Sequence, residues 1–70
     1  MADRNKLEQA LEALLNESAA AQVLLLRRRT LSRWRWEGKG PAYCKIGGAV
    51  RYRLADLEVY ISGNRVAAND

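Results

Sequence analysis

The sequence has no histidine, one cysteine and one proline among its 70 residues. Because Cys44 has no second cysteine to pair with, no disulfide can form within the chain, and a zinc site built from cysteine and histidine is excluded. An unpaired cysteine is typical of a reducing, intracellular setting. The lack of histidine also makes an enzyme the least expected class, so we predict no catalytic residue, no metal site and no cofactor.

Long apolar segments are also missing from the sequence. The longest apolar run, Val23–Leu26, is far too short to cross a bilayer. Residues 1–16 are polar and amphipathic, and they lack the continuous apolar core of a signal peptide. These features predict one small domain that is located in the cytoplasm and has no membrane partner.

Acidic residues are nearly absent from the middle of the chain. The stretch 27–53 contains nine basic residues and one acid, Glu37, so its net charge is +8, whereas residues 1–26 and 54–70 each have a net charge of −2. Four of the five aromatic residues are interleaved with these cations. A folded cationic surface is expected to bind a polyanion, because neutralised phosphates release condensed counterions. Double-stranded DNA is therefore the predicted partner.

Residues 3–15 are predicted to form an N-terminal helix. Leu7, Leu11 and Leu14 recur at three- and four-residue spacing, and Asp3 is the predicted N-cap. An isolated helix of this length is marginal in water, so its leucine stripe must pack on the domain or on a second chain.

Two further helices are predicted before the single proline. Asn16 is the predicted N-cap of a short, alanine-rich helix at 18–24, and a second helix is predicted at 28–37. No glycine, proline, asparagine or aspartate separates them. Local propensity therefore also allows one long helix over 17–37, which would suit a protein-binding or membrane-surface module.

The helix predicted at 28–37 has two different faces. Its inner face is predicted to consist of Leu31, Trp34 and the alkyl stem of Arg35. The opposite face carries Arg29, Ser32, Arg33 and Trp36. Three consecutive arginines at the start of a helix are disfavoured by the helix dipole unless an anion compensates them, which suggests a phosphate ligand.

Residues 42–53 are predicted to form a β-hairpin. A two-residue loop would mix apolar and cationic side chains on each face, so a three-residue loop at 47–49 is predicted instead. The resulting opposite pairs are Ile46 with Val50, Cys44 with Tyr52, and Lys45 with Arg51. This register predicts one apolar face and one cationic face, with Cys44 buried on the core side.

The chain is predicted to close with a short helix at 55–61. The predicted organisation is an N-terminal packing or oligomerisation helix within 1–15, a DNA-binding domain over 16–61 and a flexible tail over 62–70.

The order of these elements is that of a winged helix-turn-helix, a mainly helical fold with a small β-hairpin, here with an extra N-terminal helix. The sequence also resembles a particular family, the small AlpA-type regulators and phage excisionases, which are related to the MerR DNA-binding domain. The resemblance extends from Leu14 to about Ile61. Its most specific segments are TLSRWRWEGKGP, KIGGAVRY and RLADLEVYI.

The resemblance implies a turn near Leu25–Arg27 and a recognition helix that starts near Arg28 and enters the major groove. Recognition-helix contacts with DNA are predicted for Arg28, Arg29, Thr30, Ser32, Arg33 and Trp36. Wing and backbone contacts are predicted for Arg27, Lys39, Lys45, Arg51 and Arg53. Trp34 and Tyr52 match core positions of the family.

The sequence departs from the family at several points. Leu25 and Arg27 occupy the places where the family usually has a glycine and a small polar cap. Ala49 stands where the family often has arginine, so a weaker contact is expected at the wing tip. The helix predicted at 3–15 is an addition to the minimal domain.

Together these features predict a sequence-specific DNA-binding protein of mobile-element type, acting as an excisionase or a small transcriptional regulator. An integrase or recombinase, or RNA polymerase, would be its protein partner, and several copies would associate on DNA. The alternatives are a DNA-recognition subunit in phage packaging, and a protein- or membrane-interaction module with a basic amphipathic helix.

Overall fold

A computed structural model describes residues 4–68 of the chain, which form short helices and strands. In chain order they are α1 (Arg4–Leu11), β1 (Leu14–Leu15), α2 (Glu17–Leu24), α3 (Arg28–Trp36), β2 (Cys44–Ile46), β3 (Ala49–Arg53) and α4 (Leu54–Gly63). The three strands form an antiparallel sheet in the order β1-β3-β2. The predicted class, a mainly helical winged helix-turn-helix with a small β-hairpin, is confirmed.

The N-terminal helix is shorter than predicted, and the prediction of a helix over 3–15 is wrong beyond Leu11. Leu14 and Leu15 instead form strand β1, in which Leu15 lies opposite Tyr52 of β3. The side chain of Leu15 thereby packs against the core. The strand also pairs backbone groups along an edge of β3 that would otherwise lack partners.

Helix α1 lies against α4 but buries none of its own residues. Leu11 is half-buried, and Leu7 is largely exposed. The predicted N-cap, Asp3, lies outside the described residues. A role of the 1–15 segment in packing or oligomerisation therefore stays a prediction.

Helix α2 begins with the predicted cap. The Oδ1 atom of Asn16 accepts a hydrogen bond from the Ala19 N–H at 2.8 Å, which satisfies one of the backbone donors at the helix start. Ala20 and Ala21 are buried on the side of α2 that faces the core. Their small side chains let α2 pack closely against α3 and α4.

A sharp turn separates α2 from α3, so the long helix over 17–37 is not formed. Leu25 adopts the left-handed conformation, with a φ of 55°. The Leu25 N–H donates to the Gln22 carbonyl at 3.2 Å, and the Leu26 N–H donates to the Ala21 carbonyl at 2.9 Å. These two bonds make the Schellman arrangement, which usually has glycine at the left-handed position. The predicted turn is confirmed, with a leucine in the place of that glycine.

We expect Leu25→Gly to raise the free energy of unfolding by about 0.5–1 kcal/mol, because left-handed leucine is strained and glycine is not. The Leu25 side chain is 90% exposed, so its removal loses little packing. Urea unfolding followed by circular dichroism measures the change. Leu26→Gly is the matched control, since Leu26 has a negative φ and should lose stability on the same substitution. Equal losses in the two variants would contradict the strain at Leu25.

Strands β2 and β3 form the predicted hairpin, but the predicted three-residue loop at 47–49 is wrong. Ile46 pairs with Ala49, so only Gly47 and Gly48 form the loop. Both glycines have a positive φ, 63° and 118°, as in the two-residue turns whose twist matches that of a hairpin. The register of the hairpin is therefore set by the conformation that the glycine pair favours, and not by the separation of apolar and charged side chains onto different faces.

The shorter loop changes which side chains share a face of the sheet. Opposite residues in an antiparallel pair lie on the same side, and Cys44 lies opposite Arg51 whereas Lys45 lies opposite Val50. The predicted apolar and cationic faces are therefore not formed. Cys44 is half-buried rather than part of the core, and Ile46, on the same side as Cys44, is 54% exposed.

The hydrophobic core lies where α2, α3, α4 and β3 meet. Its buried members are Ala20, Ala21, Leu31, Tyr52 and Leu57. Trp34 packs against this core, and its ring centroid lies 6.0 Å from that of Tyr60. A Cβ atom on Gly40 would lie 3.1 Å from the Trp34 ring, so the loop after α3 requires glycine there. The predicted core positions of Trp34 and Tyr52 are confirmed.

Helix α4 is longer than the predicted helix at 55–61. It begins at Leu54, whose side chain packs against the core, and it ends at Gly63. The first two residues of the predicted tail, 62–70, are therefore helical rather than loose. Beyond the helix, the Asn64 side chain donates to a carbonyl of the last turn at 2.8 Å, which satisfies a backbone acceptor there.

Candidate nucleic-acid interface

Helix α3 presents a basic face to solvent. Arg29, Arg33 and Trp36 are exposed, and their spacing places them on one side of the helix. Trp36 is 81% exposed, an unusual position for a tryptophan in a chain of this size. Thr30 and Ser32 flank this outer face and are half-buried.

The basic side chains fall into two groups. The ion pairs are Arg4 with Glu8, Arg35 with Glu17, Lys39 with Glu37, and Arg53 with both Glu12 and Asp56. Within residues 4–68, the cations that form no ion pair are Lys6, Arg27, Arg28, Arg29, Arg33, Lys45, Arg51 and Arg65. Most of this second group lies on α3, just before it, or on the β2–β3 hairpin, which we call the wing.

The uncompensated charge is concentrated at the start of α3. Arg28 and Arg29 lie in its first turn, which contains no acidic residue, and Arg27 precedes it without a side-chain cap. The positive end of the helix dipole disfavours cations at this place. Such a concentration of unpaired positive charge is the electrostatic footprint of a surface that binds a polyanion.

A buried polar network connects α2, α3 and β3. The Arg35 Nε donates to Glu17 Oε2 at 3.0 Å, and the Tyr52 hydroxyl donates to the same oxygen at 3.3 Å. Glu17 and Arg35 keep side-chain exposures of only 10% and 19%, and Tyr52 is buried. The network fixes the orientation of α3 relative to the wing, because each of its members belongs to a different element.

This network is not among the features predicted from the sequence. Only the alkyl stem of Arg35 is predicted to lie on the inner face, and Glu17 has no predicted partner. The missed signal is the position of Arg35, which lies on the same side of α3 as Leu31 and Trp34. An inward-facing arginine needs a carboxylate partner, because an unpaired buried charge is strongly disfavoured.

The network raises the pKa of two of its members, Arg35 and Tyr52. The hydrogen bond that Arg35 donates to Glu17 is the main cause that raises the pKa of Arg35, which keeps the guanidinium charged. Burial, followed by the negative charge of Glu17, raises the pKa of Tyr52 to about 12. Tyr52 is therefore a neutral hydrogen-bond donor at neutral pH.

Aromatic rings surround the outer part of Arg35. Its guanidinium carbon lies 5.9 Å from the ring centroid of Trp36 and 6.0 Å from that of Tyr43. Both distances are within the range of cation–π attraction. Trp36 and Tyr43 thus form an exposed aromatic edge between the end of α3 and the wing.

Lys45 and Arg51, two of the predicted DNA-contact cations of the wing, lie on opposite faces of the hairpin. Lys45 is exposed and lies on the face of Val50, whereas Arg51 lies on the face of Cys44 and is half-buried. The Arg51 Nη1 donates to the Val50 carbonyl at 2.8 Å, so its guanidinium folds back on its own strand. These two cations therefore do not form a single row along the wing.

Two of the predicted contact residues already have carboxylate partners. Arg53 donates to both oxygens of Asp56, at 3.1 and 3.3 Å, and this pair links β3 to the first turn of α4. Lys39 pairs with Glu37 at 3.3 Å on the exposed surface, where such pairs are weak and easily exchanged. Roles of Arg53 and Lys39 in DNA binding stay predictions.

Neither a metal-binding cluster nor a membrane-spanning helix is found in the described part of the chain. Between residues 4 and 68, no group of three or more histidine, cysteine, aspartate or glutamate side chains is placed to hold a metal ion. None of the helices in this part is long and apolar enough to span a membrane.

The paired helices α2 and α3, the sharp turn between them and the wing that follows define a helix-turn-helix protein of the DNA-binding class. The family model of the helix-turn-helix domain matches residues 14–65, which is most of the chain. The chain therefore belongs to this helix-turn-helix family. A comparison with curated proteins returns no match.

Proposed function

We propose that the protein binds double-stranded DNA sequence-specifically, with α3 in the major groove and the wing against the backbone. The observation that carries this proposal is the set of unpaired cations on and beside α3 and on the wing. Of the six acids within residues 4–68, five form ion pairs with Arg4, Arg35, Lys39 or Arg53, so they do not balance these cations. A duplex supplies the missing negative charge in the form of phosphates.

The outer face of α3 is suited to reading bases. An α-helix fits the width of the major groove, and an arginine can donate two hydrogen bonds to guanine there. Arg29 and Arg33 have no competing carboxylate partner within residues 4–68. Trp36 would supply apolar contact with a thymine methyl group or a sugar, and Thr30 and Ser32 would reach the groove from the flanks.

The remaining predicted cations would hold the DNA backbone. Arg27, Lys45 and Arg51 have unpaired charges that suit phosphate contacts, which position a protein without reading the sequence. Arg28 belongs to the same group, because it lines one cleft together with Arg51. Lys39 and Arg53 would contact phosphates only if they exchanged their carboxylate partners for them.

The biological role that we propose is that of the AlpA-type regulators and excisionases that the sequence resembles. A domain of this size offers few base contacts, and each bidentate arginine–guanine pair discriminates by about 1–3 kcal/mol. Copies bound side by side on repeated sites would therefore be needed for selectivity. Bound in this way, they would bend DNA for a recombinase or control a promoter.

The test separates base reading from backbone binding. We expect Arg33→Ala to lower the preference for a selected duplex over a scrambled one about tenfold, whereas Arg51→Ala weakens binding to both and lowers the salt-dependence slope by about 1. Duplexes selected from a random pool, followed by fluorescence anisotropy at several salt concentrations, measure both effects. Arg65→Ala is the control, because Arg65 is an unpaired cation that follows α4. If Arg33→Ala and Arg51→Ala bind like the parent at every salt concentration, the assigned surface is wrong.

A further inference from the structure

A polar cleft of about 320 Å³ lies between the start of α2, the first turn of α3 and strand β3. Arginines from two of these elements line it, namely Arg28 and Arg35 from α3 and Arg51 from β3. Ser18 of α2 adds a hydroxyl group at its wall. The cleft thus collects cations that are far apart in the sequence.

The charge of the cleft is positive even though Glu17 also lines it. Three arginines and one carboxylate leave a net charge of +2. The Glu17 Oε2 atom already accepts hydrogen bonds from Arg35 Nε and the Tyr52 hydroxyl, at 3.0 and 3.3 Å. The charge of Glu17 is therefore matched inside the fold, and the excess positive charge comes from Arg28 and Arg51.

These two arginines have donors to spare. The Arg28 side chain makes no hydrogen bond or ion pair with any residue between 4 and 68. Arg51 uses one of its five N–H groups on the Val50 carbonyl, at 2.8 Å. Two guanidinium groups that line one cleft can both donate hydrogen bonds to the oxygens of a single phosphate.

We propose that this cleft binds one phosphate group of the DNA backbone, held between Arg28 and Arg51. The Arg35–Glu17 pair also lines the cleft and holds α3 in place beside it. The inference rests on the proposed function and deepens it. It assigns Arg28 to phosphate binding rather than to base reading, because Arg28 faces the cleft and not the outer face of α3. A phosphate held by α3 and the wing together sets the depth and register at which α3 lies in the groove.

The first experiment tests the cleft without DNA. Inorganic phosphate is titrated into the ¹⁵N-labelled protein at constant ionic strength, and the amide of Ser18 and the Nε–H groups of Arg28 and Arg51 are followed by NMR. We expect saturable shifts at these groups, and an affinity for phosphate about tenfold lower in Arg28→Gln and Arg51→Gln. Arg33→Gln, on the outer face, is the matched control and should bind phosphate like the parent. Shifts spread evenly over all arginines, unchanged in Arg28→Gln, would overturn the site.

The second experiment identifies the source of the phosphate. Single uncharged methylphosphonates are placed in turn along a selected duplex. We expect one position at which the methylphosphonate lowers the affinity of the parent and of Arg33→Gln for the duplex about tenfold. At that position the affinity of Arg28→Gln should be the same for the modified and the unmodified duplex. Duplex binding with no position coupled to Arg28 would overturn this inference and leave the proposed function intact. Phosphate binding in the cleft by a protein that binds no duplex would overturn the proposed function and the assignment to DNA together.

Discussion

Glu17→Ala is expected to lower the free energy of unfolding by about 3 kcal/mol. The substitution removes the acceptor shared by Arg35 Nε and the Tyr52 hydroxyl, and it leaves the guanidinium of Arg35 without its carboxylate at the edge of the core. The lower end of the range for buried pairs applies, because the two side chains keep exposures of 10% and 19%. A chain of 70 residues has a total stability of about 4–10 kcal/mol, so a large part of it would be lost. Chemical denaturation at pH 7 measures the change.

Three further variants show whether the loss comes from the unpaired charge. Glu17→Gln keeps an acceptor oxygen and should lose less than Glu17→Ala. The double variant Glu17→Leu/Arg35→Met removes both charges and should recover part of the stability, because two apolar side chains of similar volume can replace a buried pair while the Tyr52 hydroxyl stays without its acceptor. Glu8→Ala breaks the exposed pair with Arg4 and should have an effect below about 0.5 kcal/mol. A double variant as unstable as Glu17→Ala would show that the pair is not the cause.

The helices that carry the candidate site could be predicted because their signals are local. The Asn16 cap needs only the Ala19 N–H three residues later, and the outer face of α3 follows from the spacing of Arg29, Arg33 and Trp36. These features form within one or two helical turns. A single sequence contains all the information they need.

Two features were predicted wrongly: strand β1, because it depends on a distant partner, and the hairpin register, because it depends on the local chemistry of its turn. Leu14 and Leu15 continue the leucine spacing of a helix, and only the free edge of β3 makes them a strand. The hairpin register was predicted from the pattern of apolar and charged side chains, but the backbone of Gly47 and Gly48 decides it. The glycine pair is visible in the sequence, and its turn chemistry is a stronger signal for the register than the pattern of side chains.

The sequence identified the cations of the candidate site but not which of them are committed to the fold. The Arg53–Asp56 pair and the Arg35–Glu17 pair become visible only when strands and helices are placed in space. Arg28 and Arg51 are far apart in the chain, and only the fold brings them to one cleft. Charge clustering therefore predicts the class of partner, whereas the three-dimensional pairing of charges indicates which residues are free to contact it.

The parent protein is expected to lose about 2–3 kcal/mol of stability between pH 10 and pH 12 through Tyr52 alone. Burial and the charge of Glu17 raise the pKa of Tyr52 to about 12 in the folded state, whereas a tyrosine in the unfolded chain has a pKa near 10. Between these values the unfolded state binds fewer protons than the folded state, so stability falls as the pH rises. Below about pH 9 both states keep the proton, and Tyr52 adds no pH dependence.

Tyr52→Phe isolates this effect, because it removes the hydroxyl and keeps the buried ring. At pH 7 the variant should be about 1 kcal/mol less stable than the parent, since the hydrogen bond to Glu17 is lost. Its stability should then fall less steeply above pH 10, so that the two proteins become equal and their order reverses before pH 12. Urea unfolding at intervals of half a pH unit measures both curves. Tyr43→Phe is the matched control and should follow the parent, because the Tyr43 ring touches that of Tyr52 but its hydroxyl is not part of the network. Parallel curves for the parent and Tyr52→Phe would show that the hydroxyl is not held in a buried, negatively charged environment.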